Sequence, residues 1–364
     1  MPVLPTLGLN RSELVLRRAH LVLAWIMHFY VHTLPPGESV SIPPSLTHPL
    51  LRVCLQLQLP PVLTYSDDVL YNWSLRTPSS KPTPALDNLQ CNTLFTATND
   101  EQEFYLTSAR MELRGVEALD LMRDTMDELF VGDDIAIRRV TNYLNKLSLV
   151  TNDLKSLLLS VRDGCDPEVF YRDIRPWFNG TNAEKKEWVF EGLDQDPALS
   201  YPTELSGPSA GQSSLIHAMD IFLGVDRYSH SSSITGSDQN ALSAKEAFLN
   251  RMQLYMPRHH RNFLRHLSVN PRPLRDIVEA SSDQKFLSAY NAAVQSLKEL
   301  RDAHLIIVTL YIVGPARRKA QPKEVIEPPA DPAPLIGTGG TQLMKFLKGV
   351  RDGTHGALIG SNVQ

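Results

Sequence analysis

The chain has 364 residues, of which 42% are hydrophobic and 21% are charged, and its formal net charge is −4. This composition is ordinary for a globular protein of one large or two smaller domains. It lacks the basic excess that binds nucleic acid or anionic membranes. Cys54, Cys91 and Cys165 are far apart without CxxC spacing. This argues against a disulfide framework and a structural zinc site, and favours a reducing, cytoplasmic compartment.

An apolar segment near the N-terminus reads "LVLRRAHLVLAWIMHFYVHTL". Arg17, Arg18 and three histidines interrupt it, so it lacks the uninterrupted run of roughly 20 apolar residues that spans a membrane. We therefore expect a buried amphipathic helix, with Ser12 as its N-cap, rather than a signal anchor. Its predicted apolar band consists of Leu14, Leu16, Leu21, Leu23, Ile26 and Met27.

Helical periodicity dominates the rest of the chain, and no segment alternates convincingly as a strand. Long helices are predicted between Phe104 and Arg162, the first of them a single helix over "EFYLTSARMELRGVEALDLMRDTMDELF". The segment "SSLIHAMDIFLG" has serines at its start and a glycine at its end, which predicts a helix with a clear start and stop. The Pro/Ser-rich segment "TPSSKPTPALDN" precedes a predicted domain boundary near residue 95. We therefore predict an all-α fold with domains at 1–95 and 96–364. A mobile insertion is expected near 227–242 and a Pro-rich loop near 314–341.

Several motifs could carry chemistry, although the chain has no P-loop, GxSxG or HExxH motif. His304 heads the apolar run "HLIIVTLYI" and is either a core histidine or a ligand held in a dry place. His259, His260 and His266 are close in sequence, but no carboxylate or cysteine completes a tetrahedral metal site. The stretch "GTGGT" could offer backbone N–H groups to an anion or serve as a flexible connector.

Tyr171 and Arg175 in "PEVFYRDIRPWFNG" are four residues apart and share a face of a predicted helix. An aromatic ring beside an arginine suits an aromatic amino acid, whose ring packs while its carboxylate is bound by the guanidinium. A core aromatic residue beside a surface arginine is the alternative, and the pattern alone leaves both open.

Seven runs carry a resemblance to a known family, in that family's order, from about residue 12 to residue 353. They are "LPPVLTYSDDVLYNW", "FYLTS", "RDGCDPEVFYRDIRPWFNG", "PSAGQSSLIHAMDIFLGV", "YMPRHHRNFL", "LRDAHLIIVTLYI" and "GTGGTQLMKFLKGVRDGT". On these residues the chain resembles the indoleamine 2,3-dioxygenases, haem enzymes that open the indole ring of tryptophan. The resemblance implies an all-helical fold with a small N-terminal domain and a large haem-binding domain.

The cofactor implied by the resemblance is haem b, iron protoporphyrin IX. His304 matches the proximal iron ligand, while Asp220 and Arg301 match residues that support the proximal side. Arg301 also matches a residue that can meet a haem propionate. His217, one turn before Asp220, is a less favoured ligand because the family pattern does not require histidine there.

The substrate site implied by the resemblance has a deep indole pocket, an aromatic wall, a carboxylate-binding arginine, a small-residue loop beside the haem, and a lid. Ser108, Phe170 and Arg175 match the catalytic positions, and Ser108 is expected to hydrogen-bond rather than act as a base. Ser209 and Ala210 match the loop beside both haem and substrate. The substrate-binding positions are Tyr65, Val69, Phe104, Phe170, Tyr171, Arg175, Ser209, Ala210 and Thr338.

The implied reaction joins L-tryptophan and O₂ to give N-formylkynurenine, with both oxygen atoms in the product. The resemblance also implies a reductant for ferric haem, no nucleic-acid or membrane partner, and a monomer. The alternatives are a non-catalytic haem-binding relative, an oxygenase or peroxidase of another indole, and a dioxygenase of a modified indole. The presence of Arg175 argues against the first.

Two features depart from the family pattern. The sequence before Ser12 is several dozen residues shorter than is usual in the family, which implies an incomplete small domain and a less stable cover over the distal pocket. Asp68 adds a carboxylate beside the indole pocket, where burial is costly unless the group is paired or solvated. We expect Asp68 either to point away from the pocket or to signal a modified substrate.

Overall fold

The computed structural model describes residues 2–35, 39–81, 83–181, 187–228, 248–270, 274–320, 337 and 343–360. Within them the chain is predominantly helical, as predicted. The α-helices are α1 Glu13–Thr33, α2 Pro44–Leu57, α3 Asn99–Arg114, α4 Val116–Val131, α5 Asp134–Leu159, α6 Ser214–Phe222, α7 Arg258–Val269, α8 Leu274–Ala280, α9 Gln284–Val308, α10 Gly314–Ala320 and α11 Leu343–Gly356. Shorter helical pieces lie at Pro167–Val169, Val225–Tyr228 and 248–253.

Single turns of other helix types connect these elements. Turns of π-helix lie at Ser66–Leu70, Phe170–Ile174 and Thr309–Val313. Turns of 3₁₀-helix lie at Leu7–Arg11, Ser160–Asp163, Arg175–Phe178, Leu193–Gln195 and Ala210–Gln212. Several predicted site residues therefore lie on these irregular turns, where the backbone departs from a regular α-helix.

Four short strands form two small sheets. Strands β1 (Ser39–Ile42) and β4 (Glu187–Phe190) pair in parallel, and β2 (Trp73–Leu75) and β3 (Leu89–Cys91) pair antiparallel. The prediction that the chain has no strands was wrong for these segments. They have only three or four residues each, which is too few for an alternating pattern to stand out in sequence.

Side-chain caps explain where several helices begin. Ser12, Thr98, Asp133 and Ser213 each accept a hydrogen bond from a backbone N–H in the first turn of the helix that follows. These bonds satisfy donors that the helix itself leaves unpaired. The predicted N-cap at Ser12 is therefore confirmed, as is the serine start of α6.

Helix α1 buries most of the predicted apolar band, but not all of it. Leu16, Leu21 and Met27 are buried and Leu23 is partly buried, whereas Leu14 is 75% exposed and Ile26 is 49% exposed. The buried face also includes His28, whose Nδ1 donates to the Trp177 carbonyl at 2.8 Å. Its Nε2 accepts from a backbone N–H at 3.1 Å. Apolar periodicity cannot detect a buried face that contains hydrogen-bonded histidines.

By length and composition, α1 is the one helix among the described residues that could cross a membrane. Buried residues make up 44% of its most apolar window.

The largest hydrophobic core joins α4, α5, α6 and α9, with Leu144 and Leu297 among its fully buried side chains. The sequence predicted a single helix where α3 and α4 stand, but the chain breaks at Gly115. A Cβ at Gly115 would lie 2.1 Å from the Leu215 side chain. The glycine therefore lets α6 pack closely against the junction between α3 and α4.

Two backbone segments cross closely beside the predicted site. A Cβ at Gly207 would lie 1.7 Å from the Phe178 carbonyl oxygen, and one at Gly180 would lie 2.0 Å from the Leu205 carbonyl oxygen. The Thr181 N–H donates to that same Leu205 oxygen at 3.1 Å. This crossing brings the loop before Ser209 close to the turn that carries Arg175.

A second core includes the side chain of Phe178, whose carbonyl oxygen lies at this crossing. It contains Trp25 and Leu63 from the N-terminal part of the chain together with Tyr105, Phe170 and Tyr311. The division into domains at residue 95 stays a prediction. Most of the predicted insertion near 227–242 and of the loop near 314–341 lies outside the described residues. The prediction of a loop was wrong for Gly314–Ala320, which form helix α10 and precede all but one of the prolines of that stretch.

Candidate active site

An aromatic wall forms where the π-turn Phe170–Ile174 meets α3. The Asp166 carboxylate caps the short helix before this turn by accepting from Glu168 N at 2.7 Å. The ring of Phe170 then lies 4.4 Å from the ring of Phe104, centroid to centroid. It also meets the ring of Tyr311 edge-on at 5.7 Å. Tyr311 lies on the π-turn Thr309–Val313, which directly follows α9. The segment that follows the helix of His304 therefore contacts the predicted substrate wall.

Arg175 lies beside Tyr171 at one end of this wall. Its guanidinium carbon is 5.8 Å from the centroid of the Tyr171 ring. The two residues meet across a π-turn followed by a 3₁₀-turn, not along a regular α-helix. Burial lowers the pKa of Arg175, and the Tyr171 phenol acts in the opposite direction. A partly buried cation beside aromatic rings is suited to an anionic group on an aromatic ligand.

Tyr65 is held at both of its polar ends. Its N–H donates to Gln212 Oε1 at 2.8 Å, and its hydroxyl donates to Glu112 Oε1 at 2.9 Å. Ser213 Oγ donates to the same Glu112 oxygen at 2.7 Å. Burial, and then Glu112, raises the pKa of Tyr65 well above its ordinary value, whereas the Ser108 and Ser213 hydroxyls act to lower it. Ser108 therefore lies beside the phenol of Tyr65.

The small-residue loop is tied into the same network. Ser209 caps the turn Ala210–Gln212, with its hydroxyl accepting from Gly211 N at 3.3 Å. Gln212 Nε2 donates to the Gly207 carbonyl at 3.0 Å. The structure thus connects the predicted loop to Tyr65, while Val69 is buried in the adjacent π-turn.

Glu112 and Gln212 were missed by sequence reasoning. Glu112 lies one helical turn after Ser108, so a search along the same face of α3 could have found it. Gln212 gave no signal except its place in the matched run "PSAGQSS". Thr338 lies outside the described residues.

His304 lies near the end of α9 and is partly buried. Burial lowers the pKa of its imidazole to about 4, with Arg301 adding to the effect. Within the described ranges, neither ring nitrogen makes a hydrogen bond. A neutral imidazole without a protein partner fits the axial ligand of a haem iron.

Arg301, one helical turn before His304, is held by Asp220. Its Nη2 lies 2.6 Å from both carboxylate oxygens, and its Nη1 donates to Thr354 Oγ1. The pair lies at the edge of a cleft of about 710 Å³, together with His217. Among the described residues, the carboxylate of Asp220 therefore bonds to Arg301 and not to His304. His217 has a different partner, since its Nε2 lies 2.9 Å from the Gly211 carbonyl oxygen. A guanidinium at this place could meet a carboxylate of a bound haem.

The other histidines have separate partners. His259 lies 2.9 Å from Glu13 Oε2, and His260 lies 2.9 Å from Ser214 Oγ. His266 Nδ1 lies 3.0 Å from the Asn270 side chain. Across the described parts of the chain, no three His, Cys, Asp or Glu side chains are grouped to hold a metal ion.

Asp68 is buried and makes no ion pair or hydrogen bond with the described residues. Its side chain is 4% exposed, and Oδ1 is buried without a hydrogen-bond partner among the described residues. Burial, followed by the carboxylates of Asp67 and Glu101, raises the pKa of Asp68 well above its ordinary value. The neutral acid is therefore favoured at this position.

The fold and the pocket together define an all-α protein whose aromatic wall ends at a partly buried arginine. The family model for indoleamine 2,3-dioxygenase matches residues 1–357 of this chain. The chain therefore belongs to the indoleamine 2,3-dioxygenase family, as the sequence resemblance indicated. It is a dioxygenase of the tryptophan and indole class, in a family that depends on haem.

Individual relatives agree with this assignment. Indoleamine 2,3-dioxygenase 2 of Mus musculus is 33% identical over 344 residues, covering 94% of this chain and 79% of the relative. Indoleamine 2,3-dioxygenase of Saccharomyces cerevisiae is 33% identical over 358 residues, covering 93% and 77%. A 6-hydroxytryptophan 2,3-dioxygenase of Fusarium equiseti is 29% identical over 346 residues, covering 92% and 80%.

Proposed function

We propose that this protein uses haem b to insert both atoms of O₂ across the indole C2–C3 bond of L-tryptophan, giving N-formylkynurenine. One observation carries the choice of substrate: Arg175 stacks near Tyr171 at the end of the wall built by Phe104 and Phe170. This arrangement offers a flat apolar surface for the indole and a cation for the amino-acid carboxylate. A charge-assisted bond of this kind contributes roughly 1.5–3 kcal/mol.

His304 would hold the iron, and Arg301, fixed by Asp220, would meet a haem carboxylate. Ser209 and Ala210 would lie beside the haem and the substrate. When bound, the haem supplies the oxygen activation that the side chains of the protein lack. We also infer a monomer in a reducing, cytoplasmic compartment, with a cellular reductant for ferric haem; the three cysteines are free.

The side chains around the substrate have orienting roles in this proposal. Phe104 and Phe170 position the indole ring, and Arg175 positions the carboxylate, so that the reacting carbons are presented in one orientation. Ser108 donates a hydrogen bond but is too weak a base to remove a proton near neutral pH. Glu112 holds the Tyr65 phenol and thereby the shape of the indole pocket.

A modified indole is the second candidate substrate. The Fusarium equiseti relative is named for 6-hydroxytryptophan, and Asp68 places an unusual polar group beside Val69. A non-catalytic haem protein is less well supported, because such a protein has no need for an arginine in an aromatic pocket.

The test is to load the protein with haem, reduce it, supply L-tryptophan with ¹⁸O₂, and weigh the product. N-formylkynurenine that carries both labelled atoms is the expected result. Product with one labelled atom would instead support an oxygenase that depends on an external electron donor. No product from L-tryptophan, despite a normal haem spectrum, would reject it as the substrate.

A further inference from the structure

Three buried polar atoms lie together without partners near the indole pocket. Asp68 Oδ1, Tyr105 Oη and Trp25 Nε1 make no hydrogen bond with any described residue. Their side chains are 4%, 1% and 2% exposed, respectively. Each such atom costs roughly 1–3 kcal/mol if it stays unsatisfied. Native proteins leave few buried polar groups unpaired, so three in one place indicate a missing partner.

These atoms belong to one cluster. The rings of Trp25 and Tyr105 meet edge-on with centroids 6.2 Å apart. The π-turn Ser66–Leu70, which carries Asp68, packs against α3, which carries Tyr105. Burial raises the pKa of Tyr105 well above its ordinary value, and the next largest causes are the carboxyl groups of Asp68 and Glu101, which agrees with both acids lying near the phenol. No hydrogen bond joins Asp68 to this phenol.

The two neighbouring carboxylates, Asp67 and Glu101, form their hydrogen bonds with groups other than Asp68. Asp67 Oδ2 accepts from the Thr64 backbone and hydroxyl at 2.9 and 2.7 Å, and Asp67 Oδ1 lies 2.9 Å from His20 Nδ1. The Glu101 carboxylate accepts from the N–H groups of Phe95 and Thr96 at 2.7 Å each.

The position of the cluster indicates what it would bind. Asp68 is flanked by Val69 in the π-turn that follows Tyr65, and Tyr105 follows Phe104 along α3. The cluster thus borders residues assigned to the indole ring, and it is distinct from Arg175, which is assigned to the carboxylate. A ligand group that reaches it would be attached to the benzene ring of the indole.

The carboxyl groups around the cluster determine which ligand substituent it would bind. Asp67 and Glu101 disfavour an anion, and the neutral acid of Asp68 can both donate and accept a hydrogen bond. The Tyr105 hydroxyl can also do both. A neutral hydroxyl group on the ligand would complement both residues, whereas an unsubstituted benzene ring would leave them unpaired.

We propose that Asp68 and Tyr105 form a specificity pair that binds a hydroxyl group on the benzene ring of the substrate's indole. This inference rests on the proposed function, since it takes the indole pocket from it, and it predicts that hydroxytryptophans are preferred over L-tryptophan. Sites built to hydrogen-bond a substrate hydroxyl reject the analogue without it by as much as about 10⁵-fold. Because an internal water could satisfy part of the cluster, we expect a preference of about tenfold or more.

The experiment compares kcat/KM for L-tryptophan with that for 4-, 5-, 6- and 7-hydroxytryptophan, using the haem-loaded enzyme. Asp68→Ala and Tyr105→Phe should each lower the preference for the best isomer by roughly tenfold. Thr107→Val is the matched control. It removes from α3 another buried hydroxyl that has no partner among the described residues. Thr107 lies at about 200° of helix rotation from Tyr105, so the change should leave the preference unchanged.

Calorimetric dissociation constants for the same ligands separate this inference from the proposed function. One outcome is that no indole is turned over, but hydroxytryptophans still bind more tightly than L-tryptophan and Asp68→Ala removes the difference. In that case the proposed reaction is rejected, while the proposed role of Asp68 and Tyr105 is supported. If no isomer binds or reacts better than L-tryptophan, or if both variants keep the wild-type preference, the pair is rejected. Should Asp68→Ala fail to fold, Tyr105→Phe decides alone, because it removes a single oxygen atom.

Discussion

Arg301 bonds both carboxylate oxygens of Asp220 at 2.6 Å, and it does so one helical turn before His304. The ion pair fixes the guanidinium beside the imidazole without using either ring nitrogen. The two residues thus have separable roles, one toward the iron and one toward the edge of the cofactor, and they can be tested separately.

His304→Ala should abolish stable haem binding, because it removes the proposed iron ligand. The measurement is the ratio of haem to protein after reconstitution and gel filtration, with circular dichroism to confirm that the variant is folded. An axial imidazole signature that persists in this variant would reject the ligand assignment.

Asp220→Ala should weaken haem retention without abolishing it. Removing the carboxylate frees Arg301 to move, and losing such supporting groups typically costs 10–100-fold in affinity or activity. Haem transfer to an apoprotein acceptor should therefore be about tenfold faster or more. Asp220→Glu, which keeps the charge, is the matched control and should recover part of the retention.

Arg175→Ala should raise KM for L-tryptophan by about 10–100-fold, as expected for the loss of roughly 1.5–3 kcal/mol. Tryptamine lacks the carboxylate, so its dissociation constant should be nearly the same in both proteins. An unchanged KM for tryptophan would mean that the carboxylate binds elsewhere. Arg175→Lys should recover little, because lysine lacks the planar pair of donors.

Glu112→Ala should lower kcat/KM by roughly tenfold, because Tyr65 and Ser213 would both lose their shared acceptor. Glu112→Gln keeps an acceptor oxygen and should lose less. If Glu112 acts through Tyr65, then Tyr65→Phe and Glu112→Ala should combine less than additively in a double-mutant cycle. Full additivity would show that the two residues act independently.

His28 should make the protein less stable as the pH falls. Both ring nitrogens are bonded and burial lowers the pKa of His28 to about 3, so the folded protein holds a neutral ring. Between about pH 6.5 and 3 the unfolded state binds the additional proton. This contributes a loss of up to about 1.36 kcal/mol in the free energy of unfolding per unit of acidification.

Other buried groups titrate in the same pH range. The informative quantity is therefore the difference in the free energy of unfolding between the wild type and a variant that lacks His28. Urea unfolding at several pH values should show that the gap in stability between wild type and His28→Gln narrows on acidification. A gap that is constant from pH 7 to pH 5 would contradict the assignment of a neutral His28.

Much of the fold could be predicted because it depends on local patterns. Ser12 and Ser213 are caps, and a cap can be recognised from the few residues around it. The break at Gly115 could not be predicted, since the amphipathic period continues through it and the contact that requires a glycine there is with Leu215, 100 residues later. The strand pair β1 and β4 has the same difficulty, because its partners are far apart in sequence.

The site was predictable only in part for the same reason. The proximity of Tyr171 and Arg175 followed from their spacing, although the backbone between them is not a regular α-helix. The role of Glu112 depends on Tyr65, 47 residues earlier, and on Ser213, 101 residues later. The burial of Asp68 depends on how α3 packs against the π-turn Ser66–Leu70, which no local pattern records.

The crossing at Gly180 and Gly207 fixes the spacing of two backbone segments independently of the side chains that line the pocket. Main-chain atoms set the distance between the turn that carries Arg175 and the loop that carries Ser209. Side chains elsewhere around the pocket can therefore change without moving these two segments apart. Such a scaffold can acquire a new ring specificity by single substitutions in the indole pocket while it keeps its hold on the amino-acid end of the substrate.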